Sequence, residues 1–531
     1  MSPSQARNLR LDLSRRHLLK AFGASAVTAF GLSFTAPLLA APVFATYPFQ
    51  LGIASGDPSS DGFVIWTRLA PDPLAMGYGM PAAAVEVEWE IGADSRFGDV
   101  VRRGTAIARP ELGHAVHVEV DGLQPNRPYW YRFIAGRERS ATGRAMTLAG
   151  VGQQLESVRF AVAGCQQYEQ GYYTAHRHLA AQQPDFVFCY GDYIYENRST
   201  RVWNSSAGPV ENPRQHFGDE LYSIDDYRRR YSQYKMDVDL QAAHAAAPWF
   251  VTWDDHEIDN NWVDLNEQDG TPAPIFALRR QMAMQAYYEH MPLRASSLPV
   301  GPAMQLYRRA VLGNLLDLNL LDTRQYRTDQ VCGDRWGVPC DETRRAAEVL
   351  GERQHAWLAN NLRRSDTKWK TLAQQIMVMD LDRDPGDGVT ENLDSWAGYR
   401  QPRERLLKMV RELGQASTVI LTGDEHQNFA GELHLDGKNP GDTPIATEFV
   451  ATSISSGGDG VDQRSDTSAI QEVNPQLKFH NAQRGYVMCD VSHERWLTDF
   501  ITLDQVSTRG GTARSRKKLV VEPGNPVLQP A

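Results

Sequence analysis

The segment Gly191-Asp192-Tyr193-Ile194-Tyr195-Glu196 sets a carboxylate and a phenol three residues apart, just past an apolar run. Asp192 offers a hard oxygen ligand, and Tyr195 can fold back over the same point. A phenol ionises only near pH ~10 in water, so a tyrosinate ligand calls for a strongly Lewis-acidic cation such as ferric iron. Alone, the segment reads equally as a Gly-Asp turn with surface tyrosines. Three more segments repeat its grammar. The strand-like run Ser157–Gly164 delivers Cys165, Gln166 and Gln167. Ala247–Trp253 leads into Asp254-Asp255-His256-Glu257, with Asn260 and Asn261 beyond, and Thr418–Gly423 leads into Asp424-Glu425-His426. If these runs are adjacent parallel strands, their tips gather carboxylate, imidazole, phenolate and thiolate into one cluster, rich enough for two or more metals.

The elements that must position these groups are legible around them. Asp185–Tyr190 is short, aromatic and bounded by Pro184 and Gly191, as a buried parallel strand would be. In open α/β sheets, functional groups collect past the carboxyl ends of the strands. From about 155 to 505, strand-like runs alternate with helical stretches, among them 172–183 and 341–364, as in βαβ units. The segment 199–245 reads as an elaboration beside the site, with Arg228-Arg229-Arg230 on a solvated helix face. Residues 46–150 read instead as a β domain. Alternation in Ala84–Glu90 and His114–Val120, and the turn before Tyr129-Trp130-Tyr131, suggest an immunoglobulin- or fibronectin-like sandwich. Residues 506–531 read as a C-terminal tail, its basic run Arg514–Lys518 solubilising the terminus.

In combination and order, these motifs resemble the metallophosphoesterases, and specifically the PhoD-like alkaline phosphatases; the segment Asp322-Thr323-Arg324-Gln325-Tyr326-Arg327 and the preceding β domain strengthen the resemblance. The chain departs from the general pattern by carrying Cys165-Gln166-Gln167 where Asp-x-His is usual. Likewise Asp254-Asp255-His256-Glu257 replaces Gly-Asn-His-Glu, and Gly423-Asp424-Glu425-His426 replaces Gly-His-x-His. The resemblance implies an α/β fold: a metallophosphoesterase-type β-sandwich flanked by helices, preceded by the all-β domain. It implies Fe3+ held partly by Cys165 and Tyr195, Ca2+ in the carboxylate-rich half, and metal ligands among Asp192, Asp255, Asn261, Asp424 and His426. His256 is the candidate for protonating the leaving group, and Arg324 either grips phosphate or makes a structural salt bridge. The implied activity is hydrolysis of phosphate monoesters, with diesters, by metal-activated water. The alternatives are a phosphodiesterase or phospholipase D-like enzyme acting on phospholipid or wall-polymer diesters, and a non-catalytic metal-containing binding protein.

Composition bounds the rest. The chain has 531 residues, 42% hydrophobic and 9% aromatic, enough for more than one large core. A net charge of −10 argues against nonspecific nucleic-acid binding. Residues 1–45 read as a twin-arginine signal: Arg15-Arg16 precedes a mildly apolar Ala/Gly-rich stretch, and cleavage is expected after Ala45. The expected partners are thus a phosphate ester and the twin-arginine export machinery, with a periplasmic or secreted destination and no stable membrane anchor. Of five cysteines, Cys332 and Cys340 form the candidate disulfide, Cys189 and Cys489 fall in apolar runs, and Cys165 is left as a metal thiolate. No Gly-x-Ser-x-Gly elbow is present.

Overall fold

In the computed structural model the described residues are 42–205, 208–435 and 443–531. The expected signal sequence lies outside them, apart from its last residues. Residues Val43–Ala531 form one compact unit. Its frame is two large sheets packed face to face. One has ten strands, and its centre runs Gly485–Ser492, Ser157–Ala163, Phe186–Cys189, Trp249–Val251, Ile53–Gly56. The other has eight, with Leu316–Leu320, Trp369–Ala373, Thr418–Thr422 and Ala446–Val450 parallel in its middle.

Period-two alternation explains how each strand serves two layers. Phe186 and Phe188 point between the sheets, where Phe160, Phe250, Trp369, Leu421, Phe449 and Trp496 meet them. Val187 and Cys189 point outward into a layer holding Leu179, Tyr227, Trp249 and Phe276. On the far side Leu358, Leu362, Leu406 and Val410 cover the eight-stranded sheet through Leu372 and Ile420. The result is a β-sandwich flanked by helices. The expected helices form as Thr174–Gln182 and, shorter than the sequence suggested, Gly351–Arg363; Gly351, at φ +66°, starts the latter.

Within the first 150 residues, Val85–Gly92, Val100–Ala108, Pro128–Ala135, Glu138–Arg139 and Gly143–Met146 form a five-stranded antiparallel sheet, whose Val87, Ile91, Tyr131 and Phe133 share a core with Ile53, Phe63, Ile65 and Val116. Ile53–Gly56, Phe63–Arg68 and Ala115–Val120 instead join the ten-stranded sheet. The junction is the parallel pairing of Gly56 with Trp249. A Cβ at Gly56 would come within 2.7 Å of the Trp249 carbonyl oxygen and 2.5 Å of the Pro292 carbonyl oxygen, so only glycine allows this approach.

Three expectations are corrected. Residues 506–531 are not a tail: Ala513–Glu522 and Asn525–Pro530 are the last two strands of the ten-stranded sheet. The alternation is masked because Lys517 stands on the same face as Leu519 and Val521, and a register shift interrupts the strand before it. Arg228 and Arg230 are not solvated. On the helix Ile224–Lys235, Arg228 pairs with Glu289 at 2.6 Å, and Arg230 donates to the Asn197 and Asp219 carbonyls at 3.0 Å. Finally, the four motif-bearing strands do not share one sheet, because Thr418–Thr422 lies in the eight-stranded one. The apolar filling between the sheets brings its carboxyl end to the same side as the other three.

Candidate metal centre

Three of the four motifs leave their strands through left-handed backbone, and the motif after Trp249–Val251 reaches it only at Asn261. Cys165, Asp192, Asp424, His426 and Asn261 all adopt left-handed φ values between 50° and 64°. Such conformations are unfavourable for non-glycine residues and persist where surrounding structure over-determines them. Glu257 supplies part of that determination: its carboxylate accepts from the backbone N–H groups of Asp192, Tyr193 and Asp254 at 3.1, 2.6 and 2.8 Å. Gly191 is required because a Cβ there would meet the Asp254 backbone nitrogen at 2.3 Å.

The tips converge on Asp192. Its Oδ2 accepts from the Tyr195 hydroxyl at 2.7 Å and the Cys165 thiol at 3.3 Å, with His426 Nε2 at 3.8 Å. Tyr195 Oη also lies 3.1 Å from His426 Nε2 and 2.7 Å from Ser456 Oγ, and Ser456 Oγ donates to the Cys165 carbonyl at 2.8 Å. Three residue groups present ligand atoms within 4.8 Å of one another: Cys165 with Asp192 and His426, Asp192 with Asp255 and His256, and Asp254 with Asp255 and Asp424. Asp192 belongs to two groups and Asp255 to two, so the three are contiguous.

The electrostatics of this arrangement suit a cation. Asp192 Oδ1, Asp254 Oδ2 and Asp255 Oδ1 are buried with no hydrogen-bond partner among the described residues. Unpaired buried carboxylate oxygens are costly unless they are neutralised or coordinate metal. Burial pushes the Cys165 thiol well above its usual range, and Asp192, Asp424 and Asp254 push the same way. Burial, then Asp192 and Cys165, does the same to the Tyr195 phenol. Asp424 is raised by burial, then by Asp254 and Glu425. A thiolate, phenolate and clustered carboxylates can therefore coexist here only around strong positive charge. The donor set fits that requirement: sulfur and phenolate oxygen beside Asp192 and His426 suit a ferric ion, and the all-oxygen half at Asp254, Asp255 and Asp424 suits a harder cation such as calcium.

Other expected residues sort differently. His256 Nδ1 lies 2.7 Å from Glu196 Oε2, and its ring lies 4.1 Å from that of Tyr195. Burial would depress its pKa, but Glu196, Asp255 and Asp192 outweigh that and hold it well above the ordinary value. Asn261 donates its backbone N–H to Asp255 at 2.8 Å and its side-chain amide to the Asp334 carbonyl at 2.7 Å, placing it on the cleft wall. Arg324 needs correction as a phosphate clamp. It is fully buried, with Nε 2.6 Å from Asp254 and Nη1 2.7 Å from Asp394. Nε and Nη1 are taken by carboxylates and Nη2 faces Asp255 Oδ1 at 3.7 Å, so the buried guanidinium acts as counter-charge inside the acidic cluster. Asp254 and Glu196 stand within the ligand-bearing motifs without a signal that separates them from their neighbours, whereas Ser456 carries no ligand-type signal at all.

Two clefts meet at this centre. A polar one of about 260 Å³ is lined by Asn261, Asp334, Arg335, Asp394 and Asp424, and reaches Glu425 and His426. A second, of about 490 Å³, begins at the same Glu425 and His426 and runs past Trp203, Trp336 and Val461. The disulfide Cys332–Cys340 closes the loop that carries Asp334, Arg335 and Trp336 to both. Cys165, Cys189 and Cys489 are free and buried. No helix among the described residues is long and apolar enough to cross a membrane.

Known proteins carry the same plan. Residues 160–500 match the family model described as PhoD-like phosphatase, and residues 35–149 match its N-terminal domain. The chain is 47% identical over 484 residues to alkaline phosphatase D of Bacillus subtilis (strain 168), covering 91% of this chain and 82% of that protein. A solved structure of PhoD superposes with a TM-score of 0.90 at 46% identity, covering 92% of this chain and 93% of the other.

Proposed function

The chain belongs to the PhoD-like phosphatase family and is a phosphoric ester hydrolase, and on that premise we propose that it hydrolyses phosphate monoesters, and diesters as well, at a mixed centre of Fe3+ and Ca2+. The observation that carries this reading is the contiguity of the three ligand groups, with their orphaned buried carboxylate oxygens. Cys165, Asp192, Tyr195 and His426 would hold the ferric ion; Asp254, Asp255, Asp424 and Asn261 would hold calcium. Bound there, the cations supply Lewis-acid polarisation of phosphoryl oxygens and activation of the attacking water. Glu257 holds the Asp192 and Asp254 backbones in place for that role. Glu196 fixes the His256 ring through Nδ1 and favours its protonated form, so that Nε2 is the nitrogen available to protonate a leaving oxygen. Export through the twin-arginine route to the periplasm or beyond is part of the same proposal, resting on Arg15-Arg16 and the stretch after them.

The test is turnover of p-nitrophenyl phosphate and bis-p-nitrophenyl phosphate from mildly acidic to alkaline pH, as isolated, after chelation, and after calcium is returned. Monoester turnover that is strongest at alkaline pH, lost on chelation and regained with calcium is expected. Inactivity of folded, metal-loaded protein on both esters would overturn the reading, and turnover indifferent to chelation would overturn the metal centre.

A further inference from the structure

Resting on the phosphatase reading, we propose that the cleft beyond His426 is a subsite for a neutral, planar aromatic group carried by the phosphate ester. The cleft of about 490 Å³ is of the size that encloses a small organic group. It shares Trp336, Glu425 and His426 with the polar cleft that reaches Asp424. An ester whose phosphate lies among the ligand residues therefore has a continuous path for its organic part.

The lining is apolar by convergence. Val210 and Trp203 come from the hairpin Val202–Ser205 and Gly208–Glu211, Trp336 from the disulfide loop, and Val461 from the short strand Gly460–Val461. Trp336 and Val461 are 46% and 52% exposed. Single exposed apolar side chains are ordinary, but several gathered around one opening beside a catalytic centre mark a binding surface. Gly458, at φ +65°, lets the loop lie against Trp203, since a Cβ there would come within 3.3 Å of the indole.

The charged groups on the lining point to a neutral occupant because each is paired or hydrogen-bonded inside the protein, and the one Arg484 nitrogen without a partner among the described residues, Nε, is buried. Arg464 pairs with Asp466 at 2.8 Å. Arg484 donates to the Ser453 hydroxyl and the Ser456 carbonyl at 2.8 and 2.7 Å, and to the carbonyls of His426 and Ala482. Asp459 accepts from the Val506 and Ser507 N–H groups and the Ser507 hydroxyl. Glu425 is bound by Arg383, whose guanidinium stands 4.2 Å over the Trp336 ring. Beside Gln427, whose Oε1 is taken by His480, what the lining offers a ligand is chiefly indole and valine surface, which favours flat π systems.

The experiment compares kcat/KM for 2-naphthyl phosphate and for glycerol phosphate in the parent chain, Trp203→Ala, Trp203→Phe and Val461→Ser. Comparing this ratio between proteins cancels the difference in leaving groups. Trp336 is left intact because it supports Arg383. The naphthyl-to-glycerol ratio should fall about tenfold in Trp203→Ala, through KM, and stay within about twofold of the parent in Trp203→Phe. A smaller fall is expected in Val461→Ser, which also serves if Trp203→Ala does not fold. A ratio unmoved in Trp203→Ala, or in Val461→Ser when that variant must decide, overturns the subsite, as does equal loss on both esters. If the parent turns over neither ester, the phosphatase reading fails separately. Binding of naphthylmethylphosphonate then decides the subsite: it must exceed methylphosphonate binding and weaken in Trp203→Ala.

Discussion

Arg324 Nε donates to Asp254 Oδ1 at 2.6 Å with both side chains fully buried. The same guanidinium reaches Asp394 and faces Asp255 at 3.7 Å, making it the resident positive charge of an acidic cluster. Removing one partner of such a pair leaves an uncompensated buried charge and costs about 3–5 kcal/mol. Arg324→Gln should therefore lower the melting temperature of chelated protein sharply, and added calcium should recover part of the loss. A melting temperature equal to the parent's after chelation would mean that Arg324 does not neutralise the cluster.

Glu196 holds His256 at 2.7 Å and also accepts from the Asn260 N–H at 3.0 Å. Glu196→Gln should reduce kcat by about 10- to 100-fold with KM nearly unchanged, and shift the alkaline limb of the pH–rate profile. An unchanged profile would assign Glu196 to packing alone.

The metal-free protein should lose stability as pH rises. Burial, chiefly, raises the Asp254, Asp424 and Glu257 carboxyls well above their usual values, neighbouring carboxylates adding to it and Arg324 opposing it at Asp254 and Asp424. Above the ordinary carboxylate pKa of ~4, the folded chain then keeps protons that the unfolded chain releases. More protons bound in the folded state means stability that falls with pH. Thermal melts of chelated protein should shift downward from mildly acidic to alkaline pH, and reloading should flatten the dependence. Pre-loaded and chelated melts with the same slope would contradict this.

Lys235 is buried against the Trp66 ring at 4.3 Å, its Nζ without a hydrogen-bond partner among the described residues, and burial lowers its pKa to about 7. Between that value and the unfolded ~10.4, the unfolded chain binds the proton and the folded chain does not, so this residue makes stability rise with pH there. Lys235→Met should stabilise the protein most near neutral pH and remove up to ~1.4 kcal/mol per pH unit of that slope. Denaturant midpoints at neutral and alkaline pH measure it.

Phenolate bound to ferric iron absorbs visible light. Iron-loaded protein should be coloured, Tyr195→Phe should abolish the band, and Cys165→Ser should shift it while weakening iron retention. A band insensitive to Tyr195 would place the iron elsewhere.

What the sequence disclosed followed from local chemistry. Phe186–Cys189 and Thr418–Thr422 were readable because apolar, β-branched or aromatic runs ended at glycine-marked turns, and the ligands followed within a few residues. What stayed hidden depended on three-dimensional placement. Asp254 and Asp255 are neighbours of one chemical type, and only the turn puts both in the cluster. An arginine in a motif looks alike whether it faces phosphate or, as Arg324 does, two buried carboxylates. Arg228, on a helix with three successive arginines, gave no sign that Glu289 waits on the helix Ala273–His290. In Ala513–Glu522 only Leu519 and Val521 turn inward, too few to betray a strand.

The contact of Gly56 with Trp249 bears on truncation. Ile53–Gly56 covers the flank of the strand that ends just before Asp254 and Asp255. A gene fragment beginning after residue 150 would encode a sheet with that flank bare, its unpaired backbone beside the acidic ligands and open to strand pairing between molecules. The leading β-rich portion thus covers an edge that the catalytic half would otherwise expose.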